Sequence, residues 1–161
     1  MKKKIVCLCL ALLLTVALLL SLAGCAVNNY YTVRLWYGMV RDRTIRPLRV
    51  TITPVGEDGG GTYTATGESE VDFFLDRLLQ QATEFGRFYH TDASHRWGED
   101  YLEIKIYGEN PDGQTVELSG FISKDNVFYI TAGDITVSFE YTVGYEYFYE
   151  IYLDFITGRI M

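Results

Sequence analysis

The sequence predicts an α+β domain: an antiparallel β-meander with an N-terminal β-hairpin, one amphipathic helix and a closing C-terminal helix. Two observations predict it. Apolar residues recur at helical spacing between Val71 and Phe85, and from Tyr101 onward the apolar period switches to two, with turn residues between short runs.

The first 24 residues stand apart from that pattern. Lys2, Lys3 and Lys4 precede an apolar segment from Ile5 to Leu20, closed by Ser21, Leu22, Ala23 and Gly24 before Cys25. A charged start, an apolar middle and small residues before a cleavage point are the parts of a secretory signal peptide. The alternative reading is an uncleaved transmembrane anchor, since Ile5 to Ala23 has about the ~20 residues a bilayer requires. The close Leu22-Ala23-Gly24-Cys25 resembles the lipobox of bacterial lipoproteins, and that resemblance implies lipidation of Cys25, cleavage before it, and a chain anchored at the extracytoplasmic face of the cell membrane. Two acyl chains suffice for stable anchoring, where one gives only marginal binding.

Cleavage there removes Cys7 and Cys9 and leaves Cys25 capped, so a disulfide within the domain is excluded and the core alone must stabilise it. The leader holds three of the fourteen basic residues and none of the twenty-one acidic ones. The mature chain therefore carries eleven against twenty-one, a formal charge of −10. Such acidity argues against nucleic acid as a partner and favours either plain solubility or attraction of cationic partners.

Residues 25–44 are expected to form the lipidated N-terminus and a short tether, with Tyr31 to Tyr37 reading as a first strand from its β-type residues. The domain proper is expected over 45–161. Leu48 to Thr53 reads as a strand with Val50 and Ile52 on one face, limited by Pro54. A glycine-rich turn over 56–61 and the returning Thr62 to Thr66 complete a hairpin.

Ser69 with Asp72 forms a capping-box-like pair that starts a helix over 69–85. Its buried stripe is Val71, Phe74, Leu75, Leu78, Leu79, Ala82 and Phe85, and Gly86 stops it. Leu102, Ile104 and Ile106 alternate with Glu103, Lys105 and Tyr107, the pattern of a half-buried strand. Asn110-Pro111-Asp112-Gly113 is a turn. Val116 to Ile122, Val127 to Thr131 and Ile135 to Thr142 continue the meander. The segment 145–157 reads as a helix, with Tyr145, Phe148, Tyr149, Tyr152, Phe155 and Ile156 on one stripe and Gly158 at its end. Its tyrosines leave a strand as the alternative.

No catalytic motif of any specificity is present and no cofactor is expected. Ser94 and Ser123 lack a nucleophile elbow, and Gly59-Gly60-Gly61 lacks the Lys-Ser/Thr of a phosphate cradle. Pairs such as Glu99 with Asp100, or Glu146 with Glu150, show no spacing that selects a glycosidase. His90, Asp92 and His95 offer imidazole and carboxylate ligands that zinc accepts, but without a fourth ligand they read first as a surface loop and second as a metal-dependent hydrolase site.

The aromatic content says more. Thirteen tyrosines and nine phenylalanines exceed what one small core needs, so some face outward. Tyr101 and Tyr107 belong on the solvent side of their strand and Phe121 on the outer side of the next. The first expectation is that the closing helix covers them; the alternative is an open aromatic binding patch.

The order of elements also resembles small extracytoplasmic modules of Gram-positive lipoproteins and of BlaR1-like membrane proteins. The likeness spans roughly Leu48 to Phe155: a strand pair, the Glu70 to Phe85 helix, the Tyr101 to Tyr107 strand, Val127-Phe128-Tyr129-Ile130, and the tyrosine-rich Tyr147 to Tyr152. It implies the fold and the closing helix and transfers no catalytic residue. The expected role is thus a membrane-anchored, non-enzymatic module binding a protein or an envelope ligand, with an acidic inhibitor or immunity protein against a cationic enzyme as the alternative.

Overall fold

The computed structural model describes residues 13–15, 31–57, 59–81, 89–91, 98–125, 127–133, 135–140 and 144–159. The expected lipidation site Cys25 lies outside them, as do Ala82 and Phe85, which the sequence places in the expected helix's stripe. Among the described residues no helix is long and apolar enough to cross a membrane.

One seven-stranded antiparallel sheet organises the molecule. Its strands are β1 (Arg46–Val55), β2 (Tyr63–Ala65), β3 (Tyr89–Thr91), β4 (Tyr101–Glu109), β5 (Thr115–Ser123), β6 (Val127–Ala132) and β7 (Ile135–Glu140), in the order β2-β1-β4-β5-β6-β7-β3. The expected hairpin and meander both form, and pairing of β1 with β4 joins them into one sheet. Among the described residues three helices pack against it: α1 (31–41), α2 (Glu68–Gln81) and α3 (Tyr145–Ile156).

Helix α1 replaces the strand expected over Tyr31 to Tyr37. It is α-helical over 31–36 and continues as a π-helical turn, Tyr37–Arg41. The reason is in its periodicity: Thr32, Leu35, Trp36, Met39 and Val40 are all buried, and their spacing of three and four is a helical stripe that outweighs the β-propensity of its individual residues. The amide of Asp42 donates to the carbonyl of Tyr37 at 2.7 Å, and Arg43, at φ 53°, ends the helix. The Arg43 guanidinium then donates to the Met39 carbonyl at 3.3 Å and to Asp76 of α2 at 2.8 Å.

Pro54 does not stop β1, which runs on to Val55. Strand β2 reaches only as far as Ile52, and the Pro54 carbonyl accepts from Gly60 of the following loop, so the nitrogen of Pro54 points to the side where no strand requires its missing N–H. Helix α2 begins one residue before Ser69, with the Val71 amide donating to the Gly67 carbonyl. Gly67 thus precedes the helix, Ser69 lies in its first turn, and Asp72 faces Arg43 at 3.7 Å. The Asn110 turn forms as expected: its side-chain oxygen accepts from the amides of Asp112 and Gln114, and Gly113 supplies φ +76°.

All three helices lie on one face of the sheet. That face carries Val50, Ile52, Leu102, Ile104, Ile106, Leu118, Ile122, Phe128 and Ile130. Phe128 packs on Trp36 with ring centroids 5.3 Å apart, Phe74 meets Phe148 and Phe155, and Tyr63 stacks on Phe155 at 4.8 Å. On α3 the buried stripe is Tyr145, Phe148, Ile151, Tyr152 and Phe155. Ile156, expected within it, is exposed, because the face turns toward Ile151 instead. Gly158 ends α3 at φ +67°, its amide donating to Phe155.

Candidate binding face

The closing helix does not cover Tyr101, Tyr107 and Phe121. They project from the opposite side of the sheet, because β4 alternates strictly: Leu102, Ile104 and Ile106 are buried toward the helices, and Tyr101, Glu103, Lys105 and Tyr107 point away. Strand pairing then assembles the outer face row by row. Arg49, Tyr107 and Glu117 are neighbours in one row; Thr51, Lys105 and Ser119 in the next; Thr53, Glu103 and Phe121 in the third.

Aromatic platforms mark the two ends. The Arg49 guanidinium stacks over the Tyr107 ring, 3.9 Å from its centroid, and at the other end Tyr101 and Phe121 meet edge to face at 5.8 Å. All three rings are half-buried, which fixes their positions while leaving part of each open. Between them Lys105 bonds Glu103 at 3.1 Å, and the Ser119 hydroxyl donates to Glu117 at 3.4 Å. The hydrogen bond from Lys105 to Glu103, then the charge of Glu103, pushes the Lys105 ammonium above its ordinary pKa, so it stays charged. Beside Tyr101, Asp100 accepts the Glu57 amide at 2.8 Å and pairs with Lys124 at 3.1 Å; these bonds hold its carboxyl below the usual aspartate range.

A row of hydroxyls crosses the same face: Thr64, Thr51, then past Lys105 to Ser119, Thr131 and Thr136 in successive strands. The Thr53 and Thr62 hydroxyls share a hydrogen bond at 2.8 Å. Toward β6 and β7 the face closes, with Tyr129 and Thr136 buried, so the open part is β2, β1, β4 and β5.

Charge is balanced there. Arg46, Arg49 and Lys105 stand against Glu103, Glu109 and Glu117, Arg46 sharing its row with Glu109. A chain with a formal net charge of −7 thus keeps a neutral surface on the open strands.

The metal-ligand candidates are not brought together by what is described. His90 lies in β3, its backbone paired with Val137, where a loop was expected; Asp92 and His95 lie outside the described residues. Among the described residues no three of His, Cys, Asp and Glu converge. A groove of about 470 Å³ between α1 and the β4–β5 turn presents Arg34 and Asp112 above Ile45 and Val116.

Sequence reasoning named the three aromatic residues and missed Arg49, Thr51, Ser119 and Glu117. The signal was present in β1, where Arg49, Thr51 and Thr53 alternate with Val50 and Ile52, but their place beside Tyr107 and Lys105 depends on pairing across more than fifty residues. Comparison of the chain with protein-family models, curated proteins and solved structures finds no match.

Proposed function

We propose that this chain is a lipid-anchored, non-enzymatic binding module, tethered through Cys25 at the extracytoplasmic face of the membrane and binding a cell-envelope protein or ligand through the outer face of β1, β4 and β5. The observation that supports the binding surface is the segregation of the layers. Three helices occupy one side of the sheet, and the other keeps Tyr101, Tyr107 and Phe121 half-open among paired charges and hydroxyls. Partly buried tyrosines lose little conformational freedom on binding and offer both an apolar face and a polar tip. The tether is consistent with such a role, because Cys25 is six residues before Tyr31 and extended chain spans at most about 3.3–3.6 Å per residue, which keeps the domain within ~20 Å of the acyl chains.

The test is a photo-crosslinking amino acid placed at Phe121 in intact cells, with the same group at exposed Leu153 of α3 as control. Crosslinks at 121 that are absent at 153 support the reading. Equal crosslinking at both sites, or none at 121, refutes it. Mass spectrometry of Cys25 tests the anchor separately.

The acidic-inhibitor reading keeps one observation in its favour: the net charge of the domain lies off the balanced face, leaving other surfaces to attract a cationic enzyme. Inhibition of a cationic lytic enzyme that falls steeply with added salt would select it.

A further inference from the structure

We infer that the ligand of this face is a neutral, linear glycan, given the reading above that the outer face is where the chain binds. Four features of the face point to this class together.

The first is charge. Three bases and three acids cancel on the open strands, while the rest of the domain is acidic. An anionic polymer gains nothing from the balanced face and is repelled by its surroundings, and a cationic one is drawn to the surroundings instead. A neutral ligand meets no penalty on this face.

The second is the way the polar groups are held. Lys105 is fixed by Glu103, Ser119 by Glu117 and Thr53 by Thr62, so donors and acceptors stand in set positions with lone pairs and protons to spare. Sugar hydroxyls are both donors and acceptors and bond best to charged groups that are already oriented. Protein partners, by contrast, favour surfaces whose centres are depleted of charge. The exposed aliphatic side chains that would suit them lie elsewhere: Leu48 beside α2, and Leu153 and Ile156 on α3.

The third is the placement of the rings. Sugar rings carry axial C–H groups that pack on planar π-faces, and Tyr101 with Phe121 at one end and the Arg49 guanidinium stacked over Tyr107 at the other supply such platforms. The fourth is reach. Tyr101 and Tyr107 are six residues apart on one strand, roughly 20 Å at ~3.3 Å per residue, which calls for a chain of several sugars rather than a monosaccharide.

The experiment is calorimetric titration of the full lipidated chain in detergent. The probes are cellohexaose, chitohexaose and mannohexaose, with heparin hexasaccharide and fully deacetylated chitohexaose as charged comparators. At least one neutral hexasaccharide is expected to bind, about tenfold more tightly than its own trisaccharide, with equal affinity at about 0.05 and 0.5 M salt. Tyr101→Ala and Tyr107→Ala are each expected to weaken that binding about tenfold with the thermal midpoint within a few degrees of the parent. Lys105→Met, which keeps the stem and removes the donor, serves as a second variant that leaves the rings in place. Failure of all three neutral hexasaccharides to bind, tighter binding of a charged comparator, or unchanged binding by the tyrosine variants overturns the inference. Crosslinks to a protein from position 121, together with failure of the glycans, would leave the binding face standing and remove the glycan alone.

Discussion

A methyl group added at Gly120 tests how tightly the two layers are locked. Gly120 sits in β5 on the helix side, between Ile104 and Ile130 in the neighbouring strands, and the Phe128 ring lies directly over it. A Cβ at this position would come 2.5 Å from Cζ and 2.7 Å from Cε2 of Phe128. Carbon atoms rest at ~3.5–4.0 Å, so the ring must move by about 1 Å, and it cannot do so freely because Trp36 packs on it and both are fully buried. Overpacking of this kind costs roughly 1–3 kcal/mol, offset by about 0.4–1 kcal/mol from stiffening the unfolded chain, so Gly120→Ala is expected to destabilise by ~1–2 kcal/mol.

The double-mutant cycle makes this specific. Phe128→Leu removes the ring atoms that the new methyl strikes, so Gly120→Ala is expected to cost close to nothing in that background. The coupling energy between the two positions is then about 1–2 kcal/mol. Urea unfolding followed by far-ultraviolet circular dichroism measures all four corners, with an unchanged slope confirming that the same transition is compared. Additivity within about 0.5 kcal/mol, or stabilisation by Gly120→Ala alone, would refute the packing argument.

Three further outcomes are expected. Phe148→Ala, which empties a fully buried site against Phe74, should cost about 3–5 kcal/mol in the same assay, whereas Leu153→Ala on the exposed side of α3 should stay within about 0.5 kcal/mol. Tyr63, Tyr129 and Tyr152 have pKa values raised chiefly by burial, with the Glu70 hydrogen bond adding at Tyr63; their contribution is intact below the ordinary phenol range and lost as pH rises through the folded values. Their phenolate absorbance should therefore appear late in an alkaline titration and together with unfolding. For Asp100 the sign is opposite: its pKa is lowered, so the stability it contributes is present above the ordinary aspartate range and lost as pH falls through the folded value. Asp100→Asn should differ from the parent at neutral pH and converge with it in strong acid, as read by thermal midpoints across pH.

What could be read from the sequence was local. The alternation of Leu102, Ile104 and Ile106, the Asn110 turn and the stripe through Phe148 and Phe155 each repeat within one element, so burial follows from spacing alone. Helix α1 went unread because Tyr31, Thr32, Val33, Trp36 and Tyr37 each favour strands singly, while the Thr32, Leu35, Trp36, Met39, Val40 stripe becomes decisive only where a sheet is there to receive it. Strand β3 escaped for a related reason: three residues are too few to show a period, and β7 supplies their pairing. The outward placement of Tyr101, Tyr107 and Phe121 was legible because β4 and β5 alternate. The openness of the binding face was not, since the closing helix had two sides of a sheet to choose from and only the apolar face that carries Ile104 and Leu118 offers it a hydrophobic partner.

The charge balance of that face rests on an irregularity in β1. Arg46 and Arg49 are three residues apart, and in a regular strand an odd separation puts side chains on opposite sides. The register shifts between Pro47 and Arg49, however: Arg46 is opposite Glu109, Pro47 opposite Gly108, and Arg49 opposite Tyr107. Leu48 is the extra residue of a β-bulge, and it turns an odd separation into an even one, so both arginines share the outer rows. Without the bulge Arg46 would point toward the Met39 and Ile45 side of Gly108, where a charge would be buried against apolar atoms, and the outer face would hold two bases against three acids. The bulge thus serves packing and surface electrostatics at once. It keeps the Arg46 charge out of the layer between sheet and helices, and it gives the open face the third cation that makes it neutral.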